Sequence, residues 1–263
     1  MYITVRERSY WVEDEGTGPA LCFLHGFTGS TSIWKEVRKS FPEFRLVLID
    51  LPGHGKTGDL GPVSMETAVH DLEMIFQRLE VTRVSLLGYS MGGRTALCFA
   101  ERFPHLIDRL ILESASPGLS SREEREERIR KDKKVIALLQ NSGIEGFTDK
   151  WESLPLFETI ASLPGHRQQK LREERLDNDI DGLVHSLEGM GTGVQPSMWD
   201  SLSFLMFPVC LIAGGEDKKY VAINERMAGR FPDAQLCVIE GAGHIPHLEK
   251  PEIFSEITRS FVI

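Results

Sequence analysis

The chain has 263 residues, of which 41% are hydrophobic and 26% charged, and it carries a net charge of −9. This suits one globular domain with room for an inserted subdomain. The acidic balance argues against nucleic acid or an anionic membrane as a partner, since both call for a basic face. No apolar run approaches the ~20 residues that span a bilayer, so no stable membrane association is expected. The cysteines Cys22, Cys98, Cys210 and Cys237 lie far apart in apolar runs without a C-x-x-C pair. They read as buried thiols rather than as a zinc site or redox couple. Met1 runs directly into a strand-like segment with no charged-then-apolar leader, which makes the cytoplasm the expected compartment.

From the N-terminus, a strand-like stretch at 2–5 opens the chain. Short apolar runs recur at 21–24, 46–49, 84–87, 110–112, 209–212 and 236–239. Most are continuous rather than alternating, the pattern of strands buried on both faces of a mostly parallel sheet. Helical periodicity separates them at 66–79, 91–103, 224–231 and 252–261. Strands alternating with helices predict βαβ units and a doubly wound sheet. The alternation stops between about 118 and 208, where helices are predicted at 121–140, 143–152, 166–178 and 180–190. Ser121 with Glu124 three residues on makes a capping box for the first of these. The chain thus divides into a core of 1–117 and 199–263, with a helical lid at 118–198.

The chemical signals lie just after strands. Gly88-Tyr89-Ser90-Met91-Gly92 is a G-x-S-x-G pentapeptide between the 84–87 run and the helical 91–103 stretch, the strand–turn–helix setting that this motif requires. Its glycines permit a strained turn that lifts the serine Oγ clear of the sheet. Ser90 alone is a weak nucleophile or base and needs a neighbouring base. His244, after the 236–239 strand, would supply it, and Asp217, after the 209–212 strand, would orient the imidazole. Glu216 is the competing acid. The order Ser, Asp, His along the chain is that of the α/β-hydrolase fold, an α/β class with a doubly wound, mostly parallel sheet. In that fold the oxyanion hole uses the amide after the nucleophile and one from an early loop, here Met91 and Phe27. His25 and His54 read as structural, and His247 as structural or as support for His244.

The arginines are the next clue. Arg94 lies one helical turn after Ser90 on the same face, and the residues alone leave a core salt bridge and an anionic ligand equally open. Arg128 shares a helical stripe with Asp132, Val135 and Leu139, and Arg175 shares one with Leu171 and Asn178. A surface ion pair is the plainer reading of each. Three inward arginines would suit a substrate with several carboxylates, which the guanidinium fork grips in pairs of hydrogen bonds.

Over nearly its full length the chain resembles the α/β-hydrolases. Within them it is similar to the 2-succinyl-6-hydroxy-2,4-cyclohexadiene-1-carboxylate (SHCHC) synthases of menaquinone biosynthesis. The resemblance rests on Leu24-His25-Gly26-Phe27-Thr28-Gly29-Ser30, Asp50-Leu51-Pro52-Gly53-His54-Gly55 and Gly88-Tyr89-Ser90-Met91-Gly92-Gly93-Arg94. It continues in Glu113-Ser114-Ala115-Ser116-Pro117-Gly118-Leu119 and Val194-Gln195-Pro196. It implies anion-binding arginines at Arg94, Arg128 and Arg175, with Tyr89 and Trp151 lining the pocket. It also implies a lyase that eliminates pyruvate from 2-succinyl-5-enolpyruvyl-6-hydroxy-3-cyclohexene-1-carboxylate (SEPHCHC). The chain departs from the family in having Gly214-Gly215-Glu216-Asp217 where Gly-Glu-x-Asp is common, and Tyr220 where Phe is frequent. No metal or organic-cofactor signature occurs. The expected partner is a small polycarboxylate, and the expected assembly a monomer or small homo-oligomer. Two alternatives are a carboxylesterase or C–C hydrolase using Ser90 covalently, and a non-catalytic receptor on the same fold.

Overall fold

The computed structural model describes all 263 residues. The strands are β1 (Tyr2–Val5), β2 (Arg8–Glu15), β3 (Ala20–Leu24), β4 (Arg45–Ile49), β5 (Val84–Tyr89), β6 (Ile107–Glu113), β7 (Val209–Gly214) and β8 (Ala234–Ile239). They form one eight-stranded sheet in the order β1-β2-β4-β3-β5-β6-β7-β8. From β4 to β8 every neighbouring pair is parallel, whereas β1–β2 and β2–β4 are antiparallel. The expected α/β-hydrolase fold is the one observed.

β2 escapes a search for continuous apolar runs, because an antiparallel strand near a sheet edge is buried on one face and alternates. Tyr10 and Val12 are fully buried, while Ser9, Trp11 and Glu13 on the other face are only partly covered. The central strands β5 and β7 are buried at every position. Helices α1 (Met65–Arg78) and α2 (Met91–Arg102) pack with Met227 in one apolar layer. Phe254 of the C-terminal helix packs with Trp34 and Phe41 in the other.

The segment 118–198 contributes no strand. Its first helix, α3 (Arg122–Glu152), breaks at Gly143, where φ is 68° and ψ −177°, so the two expected helices meet at a kink. Ser121 Oγ accepts the Glu124 N–H and Glu124 Oε2 accepts the Ser121 N–H, both at 3.1 Å, which completes the capping box. A 3-10 stretch, Pro155–Ser162, precedes α4 (Gly165–Leu176) and α5 (Ile180–Met190). Beyond the insertion, α6 (Lys218–Ala228) starts well before the predicted 224–231. Asp217 caps it by accepting the Tyr220 N–H at 3.2 Å, and this contact overrides the apolar periodicity further along. The single turn α7 (Pro246–Glu249) and α8 (Pro251–Val262) close the chain.

The insertion seats on the sheet domain through glycines. A Cβ on Gly182 of α5 would stand 2.7 Å from the Gly53 carbonyl oxygen. Helix propensity alone favours alanine over glycine by about 1 kcal/mol, but here the added methyl has no room. Gly182→Ala should therefore lower the urea midpoint, reversing the sign that propensity predicts. An unchanged or raised midpoint would mean that the contact between α5 and the Gly53 loop yields freely.

Candidate active site

Ser90 occupies the turn from β5 into α2, at φ 50° and ψ −105°. Its N–H donates to the Glu113 carbonyl at 2.8 Å, and its carbonyl accepts the Arg94 N–H at 3.0 Å. The turn closes only because glycines surround it. A Cβ on Gly88 would overlap the Gly92 carbonyl, and one on Gly92 would overlap the carbonyls of Leu24 and His25.

His244 Nδ1–H donates to Asp217 Oδ2 at 2.6 Å. The ionised carboxylate can only accept, which fixes the tautomer. Nε2 is then free to accept, 3.2 Å from Ser90 Oγ. Glu216, the competing acid, is exposed, and its hydrogen bond runs from its own N–H to the Ala242 carbonyl. Phe27 and Met91 line one cavity with Ser90, and the amide of neither donates to a loop, turn or cap acceptor. As the first residue of α2, Met91 has no intrahelical acceptor either. The two N–H groups are thus without a backbone acceptor.

A cavity of about 340 Å³ opens over Ser90 and His244, bounded by Phe27, Tyr89, Met91, Trp151, Arg94 and Arg128. Trp151 Nε1 is buried without an acceptor. Burial holds the Tyr89 hydroxyl well above the usual tyrosine range. Arg94 is 8% exposed; its Nη1 donates to the Met190 carbonyl and to Gln195 Oε1, each at 2.8 Å. No carboxylate pairs with it. The core salt bridge left open by the sequence does not form, and burial pushes the guanidinium pKa down to about 10. Arg128 reaches the cavity but shares its charge with Asp132, at 2.8 Å; burial raises the Asp132 carboxyl above its usual range.

Arg175 does not line this cavity. It is 3% exposed and faces a neighbouring cleft of about 780 Å³, where Nη1 donates to Glu152 Oε1 at 3.0 Å. The guanidinium lies 5.0 Å from the ring of Phe157, which borders both spaces. Of the three arginines, Arg94 and Arg128 therefore line this cavity, and Arg175 is buried against Phe157 beside it. Lys131, which reads from the sequence as a solvated charge, and Lys219, which the sequence does not single out, reach the same cavity as Arg128. Lys219 titrates below its usual range, through partial desolvation first and then repulsion from Arg128. Its position, two residues after Asp217, was the available signal. The substituted Tyr220 places its ring 4.7 Å from that of His244.

His25 and His54 are structural, as expected. His25 Nδ1–H donates to the Gly26 carbonyl and Nε2 accepts the Leu51 N–H at 2.9 Å. His54 Nδ1–H donates to the Pro52 carbonyl. Burial pushes their pKa values down to about 4 and about 3, and His25 also depresses His54 by charge repulsion. An unfolded histidine takes up its proton near pH 6.5, whereas these two stay neutral until roughly pH 4 or 3. Below pH 6.5 the unfolded chain binds more protons, so stability falls on acidification, by up to ~1.4 kcal/mol per pH unit for each histidine. Urea midpoints at pH 7, 6 and 5 should decline accordingly, and His54→Asn should flatten the decline. An identical slope in the variant would remove His54 from the effect.

The profile of the alpha/beta hydrolase fold family matches residues 19–135. A Bacillus subtilis protein that carries the name 2-succinyl-6-hydroxy-2,4-cyclohexadiene-1-carboxylate synthase provisionally is 40% identical over 96% of this chain and 94% of its own. The Citrobacter koseri synthase of that name is 30% identical over 89% of each chain. MenH from S. aureus superposes with a TM-score of 0.91 at 32% identity, covering 96% of this chain and 97% of that one. A Thermogutta terrifontis esterase with malate bound superposes at 0.85 and 28% identity, covering 97% and 93%. The chain is an enzyme of the α/β-hydrolase superfamily and belongs, within it, to the family of the SHCHC synthases.

Proposed function

We propose that this enzyme is a carbon–oxygen lyase of menaquinone biosynthesis. It converts SEPHCHC to SHCHC and pyruvate, with Ser90, His244 and Asp217 acting together as the general base. The observation that carries this reading is Arg94, a buried guanidinium beside Ser90 whose only acceptors are neutral. A buried cation without a carboxylate is unfavourable unless an anion completes it, and an ordinary ester does not need one. SEPHCHC carries three carboxylates. Arg94 and Arg128 would each take one, with Tyr89 and Trp151 bounding the ring. Lys219 adds positive charge at the same cavity. Arg175 would contribute once Glu152 releases it. The helical insertion, which supplies Arg128 and Trp151, acts as a lid over the site.

Substrate and product differ by a shift from a 3-ene to a 2,4-diene, so the proton lost is that on C2, next to the succinyl ketone. His244 accepts the Ser90 hydroxyl proton, Ser90 Oγ takes the C2 proton, and negative charge develops on the ketone oxygen. The Phe27 and Met91 amides meet that charge; such donors are each worth ~3–4 kcal/mol in a water-poor site. The double bond then moves to C4–C5, the C5–O bond breaks, and enolpyruvate leaves, taking the proton from His244 as it becomes pyruvate. Ser90 ends the cycle as a hydroxyl, and no acyl-enzyme forms. A second reading, ester hydrolysis through covalent Ser90, draws support from the likeness to the Thermogutta esterase.

Purified enzyme should release pyruvate from SEPHCHC rapidly and hydrolyse p-nitrophenyl esters poorly; the reverse would favour the esterase. Ser90→Ala should abolish elimination while leaving substrate binding nearly intact. Arg94→Ala should raise KM about 10- to 100-fold, the loss of one charged hydrogen bond of ~1.5–3 kcal/mol. Mass-spectrometric capture of an acylated Ser90 during SEPHCHC turnover would overturn the base-only mechanism.

A further inference from the structure

His244 sits between β8 and α7, on a turn that includes Gly241 at φ 67°. Carboxylates from elsewhere hold this turn. Glu249, the last residue of α7, folds back onto it: Oε2 accepts the Gly243 N–H at 2.7 Å and Oε1 accepts the Ile245 N–H at 3.0 Å. One side chain therefore grips the N–H groups of the residues on both sides of His244. The Glu249 carboxylate thereby reaches the N-terminal end of the turn, where the cap N–H groups and the helix dipole favour negative charge. No lysine or arginine pairs with Glu249, so the two amides are the partners that account for its position.

A second carboxylate stands behind the first. Glu113, at the end of β6, is fully buried; its Oε1 accepts the His247 N–H at 2.9 Å and the His247 Nδ1–H at 2.8 Å. The carbonyl of the same residue accepts the Ser90 N–H at 2.8 Å. Glu113 thus ties the serine turn to the helical turn that Glu249 ends.

We propose that Glu249, backed by Glu113, is a positioning residue that sets the distance between His244 Nε2 and Ser90 Oγ. At 3.2 Å that hydrogen bond is already at the long end of its range. Displacing the turn by about 1 Å would break it, and misplacement on that scale can lower a rate about a hundredfold. The proposal rests on His244 being the base for Ser90.

Labelling with a fluorophosphonate tests it without reference to the physiological substrate. The Ser90 Oγ–phosphorus bond forms, fluoride leaves, and the hydroxyl proton passes to His244. The end-point counts intact sites, while the rate constant reports how well His244 activates each one. Glu249→Ala should label to the wild-type stoichiometry about 10- to 100-fold more slowly. Glu249→Gln should fall between, since one oxygen remains for one N–H; it also carries the comparison if the alanine variant does not fold. A wild-type rate constant per site in the variants overturns the proposal, whether or not the end-point drops, because a merely structural glutamate would reduce the number of sites without slowing those that remain. Absence of labelling in the wild type, against a Ser90→Ala blank, would overturn the Ser90–His244 reading as well.

Discussion

The left-handed turn at Ser90 fixes the geometry on which the remaining groups depend. A non-glycine residue held in such a conformation costs about 1–3 kcal/mol, and it persists only where its surroundings leave no alternative. Here they are a strand buried at all of its positions, a helix whose glycines press against neighbouring carbonyls, and a hydrogen bond from Ser90 to the adjacent strand. The same turn decides where α2 begins. The helix therefore delivers the Ser90 hydroxyl at its cap, the Met91 amide at its first residue, and the Arg94 side chain one turn further on. The positive end of the helix dipole points to the same place. Moving any one of these groups means moving the junction between strand and helix that buries them all.

Charge is distributed unevenly around that junction. The chain as a whole is acidic, yet Arg94, Arg128, Lys131 and Lys219 gather on one cavity. They differ in how completely the protein answers them. Arg175 is matched by Glu152 and faces elsewhere, Arg128 is matched by Asp132 at the cavity, and Arg94 is met only by a carbonyl and an amide oxygen. Gln195 performs this last task from a stretch that the sequence offered only as part of a family resemblance. Its amide oxygen orients the guanidinium without neutralising it, as the proposed polycarboxylate substrate would require. A carboxylate in its place would have satisfied the arginine and excluded the ligand.

What could be read from the sequence was what local chemistry determines. Ser90, Asp217 and His244 each follow a strand whose apolar run is unmistakable, so their convergence follows from the order of strands in the sheet. The capping box at Ser121 and the break at Gly143 are likewise set by neighbouring residues. β2 was missed because its buried Tyr10 and Val12 alternate with Ser9, Trp11 and Glu13 and are bounded on their own face by the charged Arg8 and Asp14, so the strand looks polar until its partner β4 is known. α6 was placed too late because the role of Asp217 as a cap is hidden behind its role toward His244. Arg175 was illegible for a related reason: it forms an ion pair, but a buried one, because its partner Glu152 comes from a helix many residues away. Glu113 and Glu249 gave no signal, since a carboxylate that binds backbone amides depends on how the chain returns, and any amide can serve.

Serine, histidine and aspartate in this arrangement transfer a proton from the serine whatever follows, so the reaction is decided by what the cavity holds next to Oγ. If it holds an ester carbonyl, the serine oxygen can attack carbon. If it holds a C–H acidified by a neighbouring ketone, the same oxygen meets a proton instead. The anion-stabilising amides serve both cases, because a tetrahedral oxyanion and an enolate place their charge on oxygen. What distinguishes them is the orientation of the substrate, and orientation is what an unmatched guanidinium one helical turn from the serine imposes on a carboxylate. On the proposed lyase reading, the preference for base over nucleophile would then reside in Arg94 and its neutral supports rather than in the triad.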